Sequence, residues 1–499
     1  MLFAIIPFVA CVLVCLKDGI WITDIYIANS QWNDEVFYYK MIGAINQYNQ
    51  PLGYFGYNGS FAYIGRFGSW SPMLFVFYII YAKVCGWSML APVYCNIIVM
   101  TIAMAVFAFL AEPTKKQMFS IGLLYCSGTI FTRYMFSVMP EIAIYALIIV
   151  YIGFSVKMFR QKEGVYSTSY EIILNILTLI LTLMRPYWLL LSIIPGVHWY
   201  FRTKKKRIIV LEIVWTFVCV GLFFGISRYL CAAYYTDIIK YDWLKLLLDN
   251  PIEGIYNIFY IFVSGMREIL SQICLGIVKG DSSGSIYVLY AMAIIYFVIT
   301  QNRCLDGNKA EKYAVRYSLF YFCIMLLAII YFYSIPVGSR HITGFIFAFI
   351  FLFSLLEISY KRYLIFLGVF LWLLFIRATE IYTYQIPVFS EEKELALHKG
   401  RNELEEGGNL IDYESNDPWD NTIIWLYADE SIVDFTYLYA LPDGIGIELY
   451  FKDKLISEFE ELLPKYILTN SDEEIDLLCR EKAKEKMAEY GNVHVWKLR

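Results

Sequence analysis

Hydrophobic positions in this chain come in long runs, and the polar positions between them gather into short basic patches. Runs of this kind read as membrane helices. The pattern predicts spans over residues 2–16, 89–111, 118–135, 141–156, 169–184, 186–201, 208–230, 284–301, 317–336, 341–358 and 362–379. Several fall short of the roughly 20 residues needed to cross the hydrocarbon, and interfacial Tyr and Trp make up part of the length. The first run has no basic leader and is followed by Lys17-Asp18 rather than a small-residue cleavage site, so it reads as a retained anchor. A further apolar stretch, Pro72–Gly86, is too short to span comfortably and reads as an interfacial segment.

Charge then sets the topology. With Pro72–Gly86 in the interface, five basic patches fall on one side: Lys115/Lys116, Lys157/Arg160/Lys162, Arg202/Lys204/Lys205/Lys206/Arg207, Arg303/Lys309/Lys312/Arg316 and Lys361/Arg362. The positive-inside rule makes that side cytoplasmic. The expected architecture is a polytopic α-helical membrane protein of about 11 transmembrane helices. Its N-terminus is inside, and large outside loops cover 17–88 and 231–283. Residues 1–380 form the membrane domain, and residues 381–499 form a small C-terminal extracytoplasmic α/β domain. Within that tail, 421–428, 437–441, 444–451, 465–468 and 492–498 read as strands, with helices from Lys454 to Leu463 and over 472–489.

Composition agrees with lipid as the solvent. Of 499 residues 59% are hydrophobic and only 17% charged, and mean hydropathy is +0.54. That excludes a cytosolic enzyme and a secreted disulfide scaffold. The net charge of −4 conceals a split. Residues 1–379 hold 29 Lys/Arg against 18 Asp/Glu, whereas 380–499 hold 12 against 27. The 11 cysteines lie mostly in apolar runs, no CxxC occurs, and the four histidines are scattered, so a structural zinc site is not expected. No phosphate loop is present, and no nucleic-acid partner is expected.

Candidate chemistry sits on the outside. Asp34-Glu35 lies among aromatics in the first loop, where partial desolvation makes a carboxylate a better base; a solvated helix cap fits the same residues. Tyr57 and Trp70, set among glycines, suit stacking on sugar rings, and they suit an interfacial belt equally well. Arg66, Arg133, Arg185, Arg228, Arg340 and Arg377 fall at outer span ends, where the rule places few cations. Glu141 and His341 share that level. Guanidinium groups there suit a phosphate held at headgroup depth, because the planar fork bonds two oxygens at once. Snorkelling to lipid headgroups, or pairing with Asp34, Glu35 or Glu141, is the structural alternative. The span interiors carry almost no charge; Glu171 and Glu212 lie near inner ends. That disfavours an ion-coupled carrier.

The combination resembles the GT-C superfamily of integral-membrane glycosyltransferases, which includes bacterial lipid A aminoarabinose transferases and protein O-mannosyltransferases. An Asp/Glu motif soon after the first span matches Asp34-Glu35, and an interfacial helix from a proline to a glycine matches Pro72–Gly86. A second outer acid matches Glu141, and a basic residue opening a late span matches Arg340 in GSRHITGF. The family's late-span prolines are absent after Arg340. The resemblance implies a sugar donor on polyprenyl phosphate and inverting transfer to a glycan, lipid or protein acceptor. It implies Asp34 as general base, with Glu35 or Glu141 orienting the acceptor or tuning Asp34. Arg340, His341, Arg185 and Arg66 would then bind the donor phosphate, and Tyr57 and Trp70 the acceptor or sugar. With no DxD in the first loop, a metal-independent reaction without cofactors is favoured. A polysaccharide polymerase or lipid-linked glycan flippase shares the arginines, and a non-catalytic scaffold explains the charge split alone.

Overall fold

The computed structural model describes residues 2–24, 34–49, 51, 56–57, 66–67, 71–161, 168–231, 240, 242–300, 309–355 and 360–376 of the N-terminal part. In the tail it describes 425–429, 446–450, 452–457, 459, 466–471, 474–483, 485–490 and 493–498. Helix α1 (Ile6–Asp18) closes on Gly19, whose φ of +69° suits glycine. Helix α2 (Asp34–Tyr48) is buried along most of its described length. Ser71 caps the 3-10 turn Pro72–Phe75, which runs into α3 (Val76–Cys85) and stops before Gly86. There follow α4 (Ala91–Ala111), α5 (Lys115–Ser127, opened by a Thr114–Gln117 capping box) and α6 (Thr129–Thr132). Next come α7 (Glu141–Phe159), α8 (Thr168–Met184), the 3-10 segment Pro186–Ser192 with α9 (Ile193–Thr203), and α10 (Arg207–Leu230). The set closes with α11 (Asp242–Asp249), α12 (Pro251–Lys279), α13 (Ser282–Thr300), α14 (Lys309–Phe332), α15 (Ile335–Leu355) and α16 (Tyr360–Ile376).

Helix α7 is the axis of the bundle and packs on α4, α8 and α15. Its first turn lies at one end with Glu141, and its last at the other with Arg160 and the basic patches. We call these the site end and the basic end. Among the described residues four helices, α4, α7, α10 and α12, are long and apolar enough to cross a membrane. Helix α10 exposes Val210, Val214, Phe217 and Phe224, as a lipid-facing helix must. The chain is a mostly helical membrane protein.

Three boundaries differ from the sequence reading. The span expected over 118–135 is broken at Gly128, where a Cβ would meet the Phe131 ring at 2.7 Å; a 3-10 turn, Arg133–Phe136, follows α6. The boundary expected near 336–341 lies earlier, at 333–334. Pro336 belongs to the first turn of α15, a position where its missing N–H costs nothing. Arg340 and His341 therefore sit one to two turns inside that helix rather than at its entry. Finally, the loop 231–283 carries the 29-residue α12. Its contacts fall on the site-end tips of its neighbours: Gly276 on Gly284, Gly265 on Ile330, and the Tyr331 hydroxyl on the Ile258 carbonyl at 3.0 Å. Helix α12 thus lies across the end of the bundle, with Ile252, Tyr256 and Phe259 exposed.

The tail strands form one sheet in the order β1-β3-β2-β4-β6-β5, namely β1 (Gly56–Tyr57), β2 (Trp425–Asp429), β3 (Gly446–Tyr450), β4 (Tyr466–Asn470), β5 (Glu485–Tyr490) and β6 (Val493–Lys497). The first four are mutually parallel, and β6 pairs antiparallel with both β4 and β5. Helices α17 (Lys452–Ser457) and α18 (Glu474–Lys482) accompany it. The helix expected over 472–489 ends at Lys482, because 485–490 pairs antiparallel with β6. Strand pairing there overrides a helix-prone, charged sequence. Asp476, fully buried, accepts bonds from Thr469 Oγ1 (2.6 Å) and Trp496 Nε1 (2.9 Å), lies 2.8 Å from His494 Nδ1 and pairs with Arg480. Edge strand β1 comes from the segment 17–88, far from the tail in sequence, with Gly56 opposite Glu448 and Tyr57 opposite Leu449. Leu468 of β4 packs into the core of the membrane domain. The tail is therefore joined to the bundle at two places.

Candidate active site at one end of the bundle

The site end gathers polar side chains from segments far apart in sequence. Asp34 and Glu35 open α2, where the unpaired N–H groups of the first turn favour carboxylates. The Glu35 side chain is buried, and its Oε1 accepts a hydrogen bond from the Ser137 hydroxyl. The Asp34 side chain lies outside the described residues. Ser137 belongs to the irregular segment 134–139, which Asn96 of α4 holds in place. Its amide donates to the carbonyls of Tyr134 (3.1 Å), Met135 (3.2 Å) and Ser137 (2.7 Å). The Asn96 Oδ1 accepts from the Tyr78 hydroxyl (2.7 Å), which also reaches the Met139 carbonyl (3.0 Å). One buried amide thereby fixes the turn that presents Ser137 to Glu35 and leads through Pro140 into Glu141.

Glu141 is the first residue of α7 and is 4% exposed. Its Oε1 lies 3.8 Å from the Arg185 guanidinium, and both side chains are buried. Arg185 ends α8 in an extended conformation (φ −147°), as a residue before proline must. That turn carries its side chain inward, off the line of the helix. Tyr187, two residues on, places its hydroxyl 3.5 Å from Nδ1 of His341, and the Tyr333 ring covers the other side at 4.8 Å. Arg340 precedes His341 on the same turn of α15, and the Arg185 that meets Glu141 lies two residues before Tyr187. The Arg340 carbonyl accepts from Thr343 Oγ1, which in turn accepts from the Tyr145 hydroxyl at 2.6 Å. Arg133 stands nearby, its guanidinium 4.8 Å over the Tyr134 ring and 2.9 Å from that hydroxyl.

Glu35, Glu141, Arg185, Arg340 and His341 thus converge. Arg66 is placed differently: its guanidinium meets the carbonyls of Arg228 and Cys231, both at 3.5 Å, at the end of α10. The backbone of Tyr57 is in β1, and its side chain lies outside the described residues, as do Trp70 and Arg377. Ser137, Asn96, Tyr78 and Tyr187 were not singled out from sequence; Ser137 and Glu141 in SVMPE, four residues apart, are the nearest signal. Among the described residues no three of His, Cys, Asp and Glu gather as a metal site requires. Glu141 Oε2 and His341 Nε2 are buried and make no hydrogen bond among the described residues. Two guanidinium groups beside them can neutralise an anion, and a carboxylate can take or orient a proton.

A crystal structure of ArnT from Cupriavidus metallidurans bound to undecaprenyl phosphate aligns with 98% of this chain and 97% of its own, at 10% identity and a TM-score of 0.42. No protein-family model matches the chain, and no curated protein does.

Proposed function

We propose that the chain is a membrane glycosyltransferase that moves a sugar from a polyprenyl-phosphate donor to an extracytoplasmic acceptor, with inversion. The observation that carries this reading is the convergence of Glu35, Glu141, Arg185, Arg340 and His341 at one end of an apolar bundle. In this reading Arg185 and Arg340 hold the phosphate that leaves, and their attraction grows as charge develops there. Asp34, adjacent to the buried Glu35, takes the proton of the attacking acceptor hydroxyl. Glu35, fixed by Ser137, sets the position of that first turn of α2.

Packing toward the basic end supports a transferase over a flippase. Below His341 and Tyr187 the bundle fills with aromatic rings: Trp188 stacks on Phe345 at 4.6 Å, and Tyr290 on Phe322 at 5.0 Å. A headgroup carried through the bilayer needs a polar path, and among the described residues this layer provides none.

The test is transfer of radiolabelled sugar from polyprenyl-phosphate donors by the purified chain in vesicles. Asp34→Asn is expected to abolish transfer while donor binding persists. Arg185→Gln is expected to weaken donor binding. Wild-type turnover by Asp34→Asn removes Asp34 from the mechanism.

A further inference from the structure

A cavity of about 150 Å³ opens between α7, the segment from Trp188 through α9, α13, α14 and α15, in the half of the bundle nearer the basic end. Ile148, Ile152, Phe322, Phe345, Ala348 and Leu352 line it. The Trp188–Phe345 stack separates it from His341 and Tyr187, so it is distinct from the site above. At its other end the lining includes Arg160, which is exposed and donates to the Ala111 carbonyl. The Arg202 guanidinium bonds the carbonyl of the next residue, Gln161, at 3.1 Å. At the mouth of the crevice, therefore, one guanidinium leaves this turn for the end of α4 and a second reaches it from α9.

We infer that this crevice is a binding site for an anionic glycerophospholipid, with an acyl chain inside and the phosphate headgroup between Arg160 and Arg202. The walls are mainly apolar, with the Tyr151 and Tyr321 hydroxyls bonded to the Leu191 and Tyr187 carbonyls; such a cavity holds water poorly, and an empty one forfeits dispersion contacts along its walls. In a bilayer the available filler is an alkyl chain. Basic pockets between membrane helices on the positive side select anionic headgroups, each cation near the surface being worth about five-fold in binding. Beside Arg160 the Lys157–Glu112 ion pair (2.7 Å) is neutral in sum, so among the described residues Arg160 and Arg202 leave the mouth net positive, complementary to a phosphodiester carrying net negative charge; a zwitterionic headgroup matches it less well.

The full-length protein in nanodiscs tests this with two photoactivatable lipids that differ only in headgroup, phosphatidylglycerol and phosphatidylcholine, each with a diazirine near the end of one acyl chain. Labelled peptides are mapped by mass spectrometry. The phosphatidylglycerol probe is expected to label peptides containing Ile152, Phe322 and Leu352 at least five-fold more than the phosphatidylcholine probe. Arg160→Gln is expected to erase most of that preference, and Arg160→Gln with Arg202→Gln all of it. Ala348→Trp is expected to block labelling by both probes, and Leu352→Trp provides a second plug at another wall. Equal labelling by the two headgroups overturns the inference, as does labelling that survives both plugs. A polyprenyl-phosphate probe that labels these peptides and displaces phosphatidylglycerol overturns it too, by assigning the crevice to a different lipid. None of these readouts depends on sugar transfer, so their outcome is separable from the proposed activity.

Discussion

Replacing Glu141 by glutamine removes the carboxylate that lies 3.8 Å from the Arg185 guanidinium while keeping shape and hydrogen-bonding capacity. Both side chains are at most 5% exposed, so solvent screens the pair weakly. At an effective dielectric of about 20, unit charges this far apart interact by about 4 kcal/mol. A lipid phosphate entering the site competes with Glu141 for the same guanidinium and is repelled by it. Removing the carboxylate relieves both penalties, and local rearrangement recovers part of the difference. Coupling between neighbouring sites usually amounts to about 1–3 kcal/mol, so the expected gain in affinity for polyprenyl phosphate is about tenfold. Removing one member of a buried pair also costs stability, of order 3–5 kcal/mol. Glu141→Gln is therefore expected to lower the Tm of the lipid-free protein, and polyprenyl phosphate is expected to restore it by more than it raises the wild type. Tight binding of the released lipid phosphate also slows turnover. The assay is titration of detergent-solubilised protein with polyprenyl phosphate, followed by thermal unfolding. Unchanged or weaker binding by Glu141→Gln, with the fold intact, refutes the argument that Glu141 and a phosphate share Arg185.

Asn96→Leu leaves three backbone carbonyls and the Tyr78 hydroxyl without their buried amide partner; it is expected to cost about 2–4 kcal/mol and to reduce transfer more than donor binding, read from thermal unfolding and a kcat-against-KM comparison. Burial alone would raise the Asp476 pKa, but the bonds from Thr469, His494 and Trp496 outweigh it and hold the carboxyl at about 2. A depressed carboxylate stabilises the fold above its unfolded value near 4 and loses that contribution as pH falls toward 2. Hydrogen exchange over 466–498 is therefore expected to stay slow at pH 5 and to accelerate between pH 4 and 2; Asp476→Asn should make it fast at all these values. Gly56→Pro prevents edge strand β1 from donating to β3. It is expected to raise exchange in β3 and to lower transfer several-fold with little change in the exchange of α4 and α7.

The helices were legible because lipid imposes its demand on every residue of a span, and the basic patches at one end are a compositional signal. The breaks were less so. Gly128 and the 333–334 junction lie inside continuous apolar runs, and only the packing of Phe131 and the placement of Pro336 locate them. Within the site, Glu141, Arg185 and Arg340 stood out as charges among apolar neighbours. Asn96 and Ser137 did not, since one neutral polar residue in an apolar run has no distinctive pattern until its partners are placed. Strand β1 was hidden for another reason: a two-residue edge strand owes its existence to β3, roughly 390 positions away along the chain.

The proposed reaction requires Arg185 and Arg340 to receive a lipid phosphate beside Glu141. The most direct measurement is an experimental structure of the protein with polyprenyl phosphate bound in a nanodisc. Phosphate oxygens are expected about 3 Å from both guanidinium groups, with the first turn of α2 facing the same space. Phosphate density at Arg66 or at the basic end, with the Arg185–Glu141 pair undisturbed, contradicts it.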